Sequence, residues 1–206
     1  MGALTVTEVD GEGALDPGDP AWGAVTATEV PLVPIPFDAQ LNAYVRAAWT
    51  GREYGRSGPV ELALAEQGDR LLARLSWEGS AEPPGEFSDA VALFFPPAAG
   101  TAAPVTIGTR VEPVSLWLWR DRLPVQQALP SATQLVAAGP GVFRPESADA
   151  GVSARSSRSG RKWTVVLAGP RQALAAQRVG VAVWDGSNDE RAGIGAVSAA
   201  WTEVGS

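Results

Sequence analysis

Short apolar runs separated by turn-forming residues constrain the fold of this chain more than any other feature. Runs of five to eight residues rich in Val, Leu, Phe and Trp alternate with clusters of Gly, Pro, Asp and Ser. This is the pattern of β-strands joined by turns. The clearest strands are predicted at residues 60–65, 70–77, 89–95, 114–119, 162–167, 180–184 and 196–201.

Two of these runs indicate how the strands pack. Apolar residues at 71, 73, 75 and 77 interleave with Leu72, Arg74 and Ser76, so one face of that strand is expected to lie on a core. Residues 91–95 are apolar without interruption, which favours a central strand covered on both faces. We therefore predict an all-β fold, a two-sheet antiparallel β-sandwich with long loops and at most short helices.

The length of 206 residues fits one domain of this type. Residues 1–20 end in turn-formers and acidic residues and are predicted to be an exposed N-terminal arm, so that residues 21–206 form a single β-sandwich domain. Pro130 interrupts any long helix between 124 and 138, where we expect a loop with one helical turn at most. The Ser-, Gly- and Arg-rich stretch at 148–161 is expected to be a mobile surface connection.

The absence of cysteine and histidine excludes most catalytic and metal-binding chemistry from this chain. Serine–histidine and cysteine–histidine nucleophile systems, cysteine zinc sites, iron–sulfur ligation and histidine-held haem all need one of these residues. The net charge of −7 and the lack of a basic run make nucleic acid an unexpected partner. The sequence contains neither a signal-peptide pattern nor a long apolar span. We therefore expect a soluble protein without a membrane span, either cytoplasmic or exported with a partner.

Aromatic and acidic residues are the remaining candidates for a site. Trp117 and Trp119 lie two apart and share one face of a predicted strand, where they could stack on a flat ligand. The alternative is that both rings are core residues. Glu86 with Asp89 is the nearest approach to an acid–base pair of the kind used in glycoside hydrolysis. Surface solvation or turn capping is the favoured role for these two carboxylates.

Two loop segments offer weak ion-binding patterns. Residues 184–190 carry several oxygen ligands that suit calcium, but a tight turn closed by Asx-type hydrogen bonds explains the same residues and is favoured. The glycine pairs Gly139/Gly141 and Gly193/Gly195 are weak phosphate-loop candidates, because neither clearly joins a strand to a helix N-terminus.

Five segments, taken in order, carry a resemblance to a known family. They are DPAW at 19–22, FSDAVALFFP at 87–96, PVSLWLW at 113–119, VAVWDG at 181–186 followed by Glu190 and Arg191, and AVS at 196–198 with Trp201. Together they span nearly the whole chain. In this respect the chain resembles the haem b-binding gamma subunits of type II molybdenum enzymes, a family that includes the ethylbenzene, dimethyl sulfide, selenate and chlorate systems.

This resemblance implies a β-sandwich like that of carbohydrate-binding modules or immunoglobulin-like domains, and a haem iron held by one methionine and one lysine. The methionine position, just before a glycine, corresponds to Ile107 before Gly108. The lysine position falls at or beside Gly195. Neither residue can ligate iron, and the chain's only methionine and lysine are Met1 and Lys162. We therefore expect no cofactor in this chain; molybdopterin and iron–sulfur clusters would lie only in partner subunits.

Three functions stay open at this point. The first is a non-catalytic, gamma-like accessory subunit that docks onto a molybdopterin catalytic subunit and its iron–sulfur subunit, with the old haem pocket left empty, filled by side chains or given to another flat ligand. The second is a carbohydrate-binding module whose exposed tryptophans stack on sugar rings. The third is a haem electron carrier in which Tyr44 or Tyr54 replaces the missing ligands. The candidate pocket lining is Trp117, Trp119 and Trp184.

Overall fold

Strands dominate residues 4–97, 107–121, 132–145 and 151–205, the part of the chain that the computed structural model describes. The strands, in chain order, are β1 (Leu4–Glu8), β2 (Ala27–Val30), β3 (Leu32–Pro34), β4 (Val60–Gln67), β5 (Arg70–Glu78), β6 (Ala90–Phe95), β7 (Val114–Arg120), β8 (Ala132–Ala137), β9 (Phe143–Pro145), β10 (Ser153–Ser159), β11 (Lys162–Pro170), β12 (Arg178–Trp184), β13 (Ala196–Ser198) and β14 (Thr202–Gly205). One short helix, α1 (Ala43–Trp49), lies between β3 and β4. No helix in these described ranges is long and apolar enough to cross a bilayer.

The strands form two packed layers that are joined along one side. β10, β11, β5 and β4 lie in order in the first layer, and β12, β6, β7, β8 and β9 lie in order in the second, with β1 and β14 connecting β4 to β12. The ladders between described strands are antiparallel except the two made by β1, which runs parallel to β4 and to β14. No hairpin links β1 to either neighbour, so nothing forces it to run antiparallel. The predicted all-β sandwich is confirmed, with this one departure from antiparallel pairing.

The main core lies between the two layers. Leu71, Leu75 and Trp77 of β5 point into it, as their period-two spacing predicts, and Val91 and Leu93 of β6 lie opposite. The residues between them on β6 belong to a second apolar cluster on the outer face of the second layer. The prediction that this strand is covered on both faces is therefore confirmed.

The N-terminal segment differs from the exposed arm predicted for residues 1–20. From Leu4 onward it forms β1 inside the sheet, and Leu4 is fully buried. Ala14 and Trp22 then cover the outer face of the first layer, where the Trp22 indole donates to the Ala14 carbonyl oxygen at 3.0 Å. Turn-forming residues at 16–20 dominate the composition of this segment, so its composition did not indicate β1, the short strand that precedes them. That residues 21–206 make a single domain stays a prediction.

Two segments predicted to be loops contain strands. β8 occupies the described part of the 124–138 loop and pairs with β7; residues 124–131 lie outside the described residues. β10 occupies 153–159 of the predicted mobile connection and pairs with β11 residue by residue, while residues 148–150 lie outside the described ranges. Serine and arginine are weak strand formers, so pairing with β11 decides this structure, and local propensity does not. The strand predicted at 196–201 is split into β13 and β14.

Candidate functional site

A cleft of about 670 Å³ opens beside the second layer, where β8 turns into β9 and β12 leads to β13. Three segments line it: residues 40–49, which include α1; the turn at 140–142; and the loop at 191–194. Its volume lies within the range of about 300–1,000 Å³ that is typical of small-molecule sites. We call this feature the α1 cleft.

The first wall of the α1 cleft is a helix with a clear local cause. Asn42 precedes α1 as its N-cap, and its side-chain oxygen accepts hydrogen bonds from the backbone N–H groups of Tyr44 (2.9 Å) and Val45 (3.4 Å). An asparagine in this position satisfies two of the N–H groups that a helix N-terminus leaves unpaired. The helix stops at Thr50, since the next residue, Gly51, has a φ of +76°.

Buried polar contacts hold this helix against the opposite wall. The Gln40 side chain is 2% exposed, and its amide donates to the backbone carbonyl of Gly193. The Arg46 guanidinium donates back to the carbonyl of Gln40. A buried side-chain amide without an acceptor would cost about 1–3 kcal/mol, so the Gln40–Gly193 contact specifies how this segment sits on the 191–194 loop, and Arg46 links α1 to Gln40.

The mouth of the α1 cleft combines exposed apolar side chains with polar groups, among them Arg191. Leu41, Tyr44 and Val142 are 55%, 76% and 38% exposed, which makes them three of the most exposed large apolar side chains in the described residues. Arg191 lines the same cleft and stacks on Phe87, with its guanidinium carbon 4.0 Å from the ring centroid. Apolar walls with a few placed polar groups are the usual composition of a ligand site.

Neither of the two positions implied by the resemblance lines the α1 cleft. Ile107 is fully buried, and its carbonyl accepts from the backbone N–H of Gly139 at 3.0 Å, which anchors the turn that forms the second wall. Its φ of +58° is left-handed, a conformation that costs an L-residue about 1–2 kcal/mol. Its side chain fills the outer core of the second layer. Ile107 therefore occupies space and sets a turn.

Gly195 has no room for a side chain. A Cβ atom there would lie 2.6 Å from the Trp184 ring and 2.9 Å from the Val183 carbonyl oxygen, and its own carbonyl accepts from the N–H of Ile35 at 2.9 Å. Gly193, two residues earlier, lines the cleft, and the atoms nearest to a Cβ there would be those at the end of the Gln40 side chain. Gly193 and Ile194 both line the cleft beside Gly195.

A buried carboxylate ties the back of the site together. Glu190 is 2% exposed and accepts hydrogen bonds from the backbone N–H groups of Gly55 (2.8 Å) and Asp185 (3.1 Å) and from the Asn188 amide (3.1 Å). Burial raises the pKa of the Glu190 carboxyl, an effect that these hydrogen bonds partly offset. Glu190 therefore fixes the 53–55 loop to the turn that follows β12.

Tyr54 belongs to this support and not to the cleft wall. Its hydroxyl donates to the Ile35 carbonyl at 2.5 Å, and its ring packs edge-on against Trp49 at 6.0 Å. Burial raises the pKa of the Tyr54 hydroxyl, and the nearby charges of Asp38 and Glu190 add to the effect. A hydroxyl held protonated in this way is a poor candidate for an iron ligand. Tyr44, by contrast, stands at the mouth of the cleft.

The three tryptophans predicted as pocket lining are packed inside the protein. Trp117 and Trp119 share one face, as predicted, and are 0% and 3% exposed in the main core. Trp184 is 4% exposed in the outer cluster, and its indole donates to the Ala192 carbonyl at 3.0 Å. Their environment is that of the core alternative, and none of the three lines the α1 cleft.

The remaining candidates have structural roles in the described residues. Asp89 is 4% exposed and accepts from the Trp163 indole and from the backbone N–H of Gly186, both at 2.9 Å, whereas Glu86 is exposed. The 184–190 segment is the predicted Asx turn, in which the Asp185 carboxylate accepts from Ser187. No cluster of acidic side chains able to hold a metal ion occurs among residues 4–97, 107–121, 132–145 and 151–205.

One glycine of each pair, Gly141 and Gly193, lines the α1 cleft, although neither pair opens a helix. Gly139 and Gly141 flank the turn between β8 and β9, and Gly193 and Gly195 lie just before β13. A Cβ on Gly141 would be 3.6 Å from the backbone nitrogen of Gly193, so the two turns pass close to each other. That distance is an ordinary contact, and the requirement for glycine at 141 comes from its left-handed φ of +78°.

The side chains at the cleft do not fit an iron held by methionine and lysine. Proteins hold haem iron through side chains such as histidine, cysteine, methionine and tyrosine. Tyr44 is the only residue of these types that lines the cleft in the described part of the chain. Lys162 begins β11 in the first layer and pairs with Glu61 at 2.8 Å, while Met1 lies outside the described residues.

Several residues of this site were missed by the sequence reasoning. Asn42 followed by AYVRAAW carries a helix signal that could have located α1. Gln40 gives no such signal, because its burial comes from a contact with Gly193, 153 positions away. Phe87, Glu190 and Arg191 lie in the segments that carry the resemblance, but the Arg191–Phe87 and Glu190–Gly55 contacts form only in the folded chain.

Two known proteins are similar to this chain, which is a β-sandwich with a ligand-sized cleft beside one sheet. One is a Haloferax mediterranei protein provisionally named respiratory nitrate reductase heme subunit ORF7, which is 31% identical over 197 residues. That alignment covers 88% of this chain and 65% of the relative's length. The other is the chlorate reductase subunit gamma of Ideonella dechloratans, 27% identical over 216 residues, with 98% of this chain and 83% of the relative covered. No family model matches the sequence.

These relatives confirm the resemblance predicted from the five segments. Both relatives are named as subunits of reductase complexes, which is consistent with the gamma-subunit family that the five segments resemble. The chain covers just under two thirds of the haem-subunit relative.

Proposed function

We propose that this chain is a non-catalytic accessory subunit of a molybdenum oxidoreductase complex, and that it works without a haem held by the methionine and lysine of the family that it resembles. The two relatives are named as subunits of nitrate and chlorate reductases, which supports a role inside such a complex. Its partners would be a molybdopterin catalytic subunit and an iron–sulfur subunit.

One observation carries the cofactor part of this proposal. The described residues that line the α1 cleft include neither methionine nor lysine, and the two degenerate ligand positions, Ile107 and Gly195, are not among them. Ile107 is locked in the core, and no side chain fits at Gly195. Axial ligands set the reduction potential of a haem, so a chain without them loses that control over electron transfer.

A haem carrier with different ligation is the second candidate, and the position of Tyr44 favours it. This tyrosine is 76% exposed at the mouth of the cleft, and tyrosine is a known iron ligand in haem proteins. Tyr44→Phe would then abolish the absorption of a bound haem, whereas Tyr54→Phe, the matched control, would preserve it. Equal spectra for both variants would end this candidate.

Sugar binding receives little support. All eight tryptophans lie in the described residues, and seven of them are 8% exposed or less. Stacking on a sugar ring needs an open aromatic face.

The subunit role is tested by purifying an affinity-tagged chain from its native cells and identifying the accompanying proteins by mass spectrometry. We expect a molybdopterin subunit and an iron–sulfur subunit in amounts equal to the tagged chain. A chain that elutes alone, or with a glycoside hydrolase, would overturn the proposal.

A further inference from the structure

One stretch of this acidic protein is purely basic. Residues 150–184 contain six cationic side chains and no aspartate or glutamate, although the whole chain has a net charge of −7. The cations are Arg155, Arg158, Arg161, Lys162, Arg171 and Arg178. The first four lie on the hairpin made by β10 and β11, at one edge of the first layer.

The outer strand of this hairpin is an open edge within the described part of the chain. β10 pairs there only with β11, and residues 155–159 are exposed. It runs for seven residues in unbroken register, without proline and without a bulge. β9, the strand at the end of the second layer, has three residues and ends in Pro145. Natural edges are usually blunted by shortness, proline or bulges, and β9 has two of these protections while β10 has none.

The hairpin turn shows which backbone groups of β10 are unpaired. Gly160 and Arg161 form a two-residue turn with a Gly160 φ of +59°, so the flanking Ser159 and Lys162 are a hydrogen-bonded pair. Hydrogen-bonded and non-hydrogen-bonded pairs alternate along an antiparallel ladder. The N–H and C=O groups of Ala154, Ser156 and Arg158 therefore point away from β11, toward the open edge.

The side chains beside this edge are cationic on both faces. Arg155 is exposed and has no ion-pair partner among the described residues. Arg158 lies on the opposite face, with its guanidinium carbon 5.0 Å from the Trp163 ring centroid and one nitrogen 3.8 Å from the Asp89 carboxylate. An added strand that carries acidic side chains would meet the unpaired charge of Arg155 on one face and the Arg158 guanidinium, partly compensated by Asp89, on the other.

We propose that β10 is the docking edge of this subunit, and that an extended, acidic segment of a partner subunit pairs with it as an added strand. This inference rests on the proposed function, which supplies the partner, and it names the surface and the chemistry of the contact. Main-chain hydrogen bonds supply affinity in strand addition, and flanking side chains supply selectivity. The competing explanation is that Arg155 and Arg158 only protect the edge from aggregation.

Ser156→Pro in the tagged subunit tests the main-chain part of the inference. Proline removes an N–H that points to the open edge and leaves the ladder to β11 intact, a position where proline is tolerated. We expect at least a tenfold loss of complex affinity, and no loss for Ser156→Ala, which keeps the N–H. The thermal midpoint of the free subunit reports whether the proline variant folds.

Arg155→Glu tests the charge part without touching the backbone. It should weaken the complex severalfold, and the weakening should shrink as salt is raised. Arg110→Glu is the control: it makes the same charge change at an exposed arginine four residues before β7, and it should leave complex formation unchanged.

Hydrogen exchange on the purified complex then separates the outcomes. On binding, the amides of residues 154, 156 and 158 should gain protection, while residues 155 and 157, already bonded to β11, should change little. If the subunits still assemble with both β10 variants and protection appears elsewhere, the docking edge is wrong and the proposed function stands. If the wild-type chain forms no complex at all, the proposed function is wrong, and the docking edge has no partner to bind.

Discussion

Replacing Glu190 with alanine tests whether one buried carboxylate holds the back of the α1 cleft. The change removes the acceptor for the Gly55 N–H (2.8 Å) and for the Asp185 N–H (3.1 Å). The first of these donors is fully buried and the second partly so. A buried donor left without a partner costs about 1–3 kcal/mol. The two together give an expected loss of about 2–4 kcal/mol, after relief of the cost of burying the carboxylate itself.

The assay is reversible thermal or urea unfolding of the free subunit. For a chain of this length, about 2–4 kcal/mol corresponds to a fall in Tm of roughly 4–16 °C. Glu86→Ala is the matched control because Glu86 is an exposed glutamate, and its substitution should stay within about 0.5 kcal/mol. A Glu190→Ala variant as stable as the control would show that Glu190 does not fix the 53–55 loop.

Three further predictions concern the same part of the molecule. Gly195→Ala should destabilise the fold by about 1–3 kcal/mol in a denaturation series, because its Cβ meets a ring and a backbone carbonyl, whereas Gly23→Ala, with open space around it, should be tolerated. Burial raises the pKa of the Glu190 carboxyl above its ordinary 4.5, so the folded state holds this proton up to a higher pH than the unfolded state does. The contribution of Glu190 to stability should therefore fall as pH rises from about 4.5 through the raised pKa of the folded state. Urea unfolding from pH 4 upward should show that fall, and Glu190→Gln should remove it; identical pH profiles would contradict the assignment. Asp89→Ala leaves two buried donors, the Trp163 indole N–H and the Gly186 backbone N–H, without their acceptor. It should lower the free energy of unfolding by about 2–5 kcal/mol in chemical denaturation, and a loss under about 1 kcal/mol would mean that water replaces the carboxylate.

The strands with strong apolar patterns were predictable from sequence, and those made by tertiary pairing were not. β5 and β6 follow the period-two and continuous patterns that located them, because both are buried by neighbours on each side. β10 carries the sequence SARSSRS and is a strand because β11 pairs with all seven of its residues. β1 was missed because the acidic turn after it dominates the composition of the N-terminal segment.

The shape of the candidate site was not predictable from sequence. Ile107 and Gly195 were assigned as ligand positions from the resemblance alone, and that assignment stays a prediction; the structure shows that Ile107 is buried and that a side chain at Gly195 would clash. The cleft itself depends on α1 docking through Gln40 to Gly193, a contact across 153 positions that no local pattern announces. Trp117, Trp119 and Trp184 were predicted to line a pocket because their flat rings can stack on a ligand. The same large apolar area favours their burial in the core, where the structure has them.

The central claim is the proposal that this chain works as a subunit without a haem ligated in the manner of the gamma-subunit family that it resembles. The most direct measurement is the visible absorption spectrum of the intact complex purified from native cells, in oxidised and dithionite-reduced forms, together with the haem content per tagged subunit. We expect no Soret band assignable to this chain and no haem that scales with it. One haem per subunit, with a band that sharpens on reduction and disappears in Tyr44→Phe, would contradict the account and place an iron ligand at the mouth of the α1 cleft.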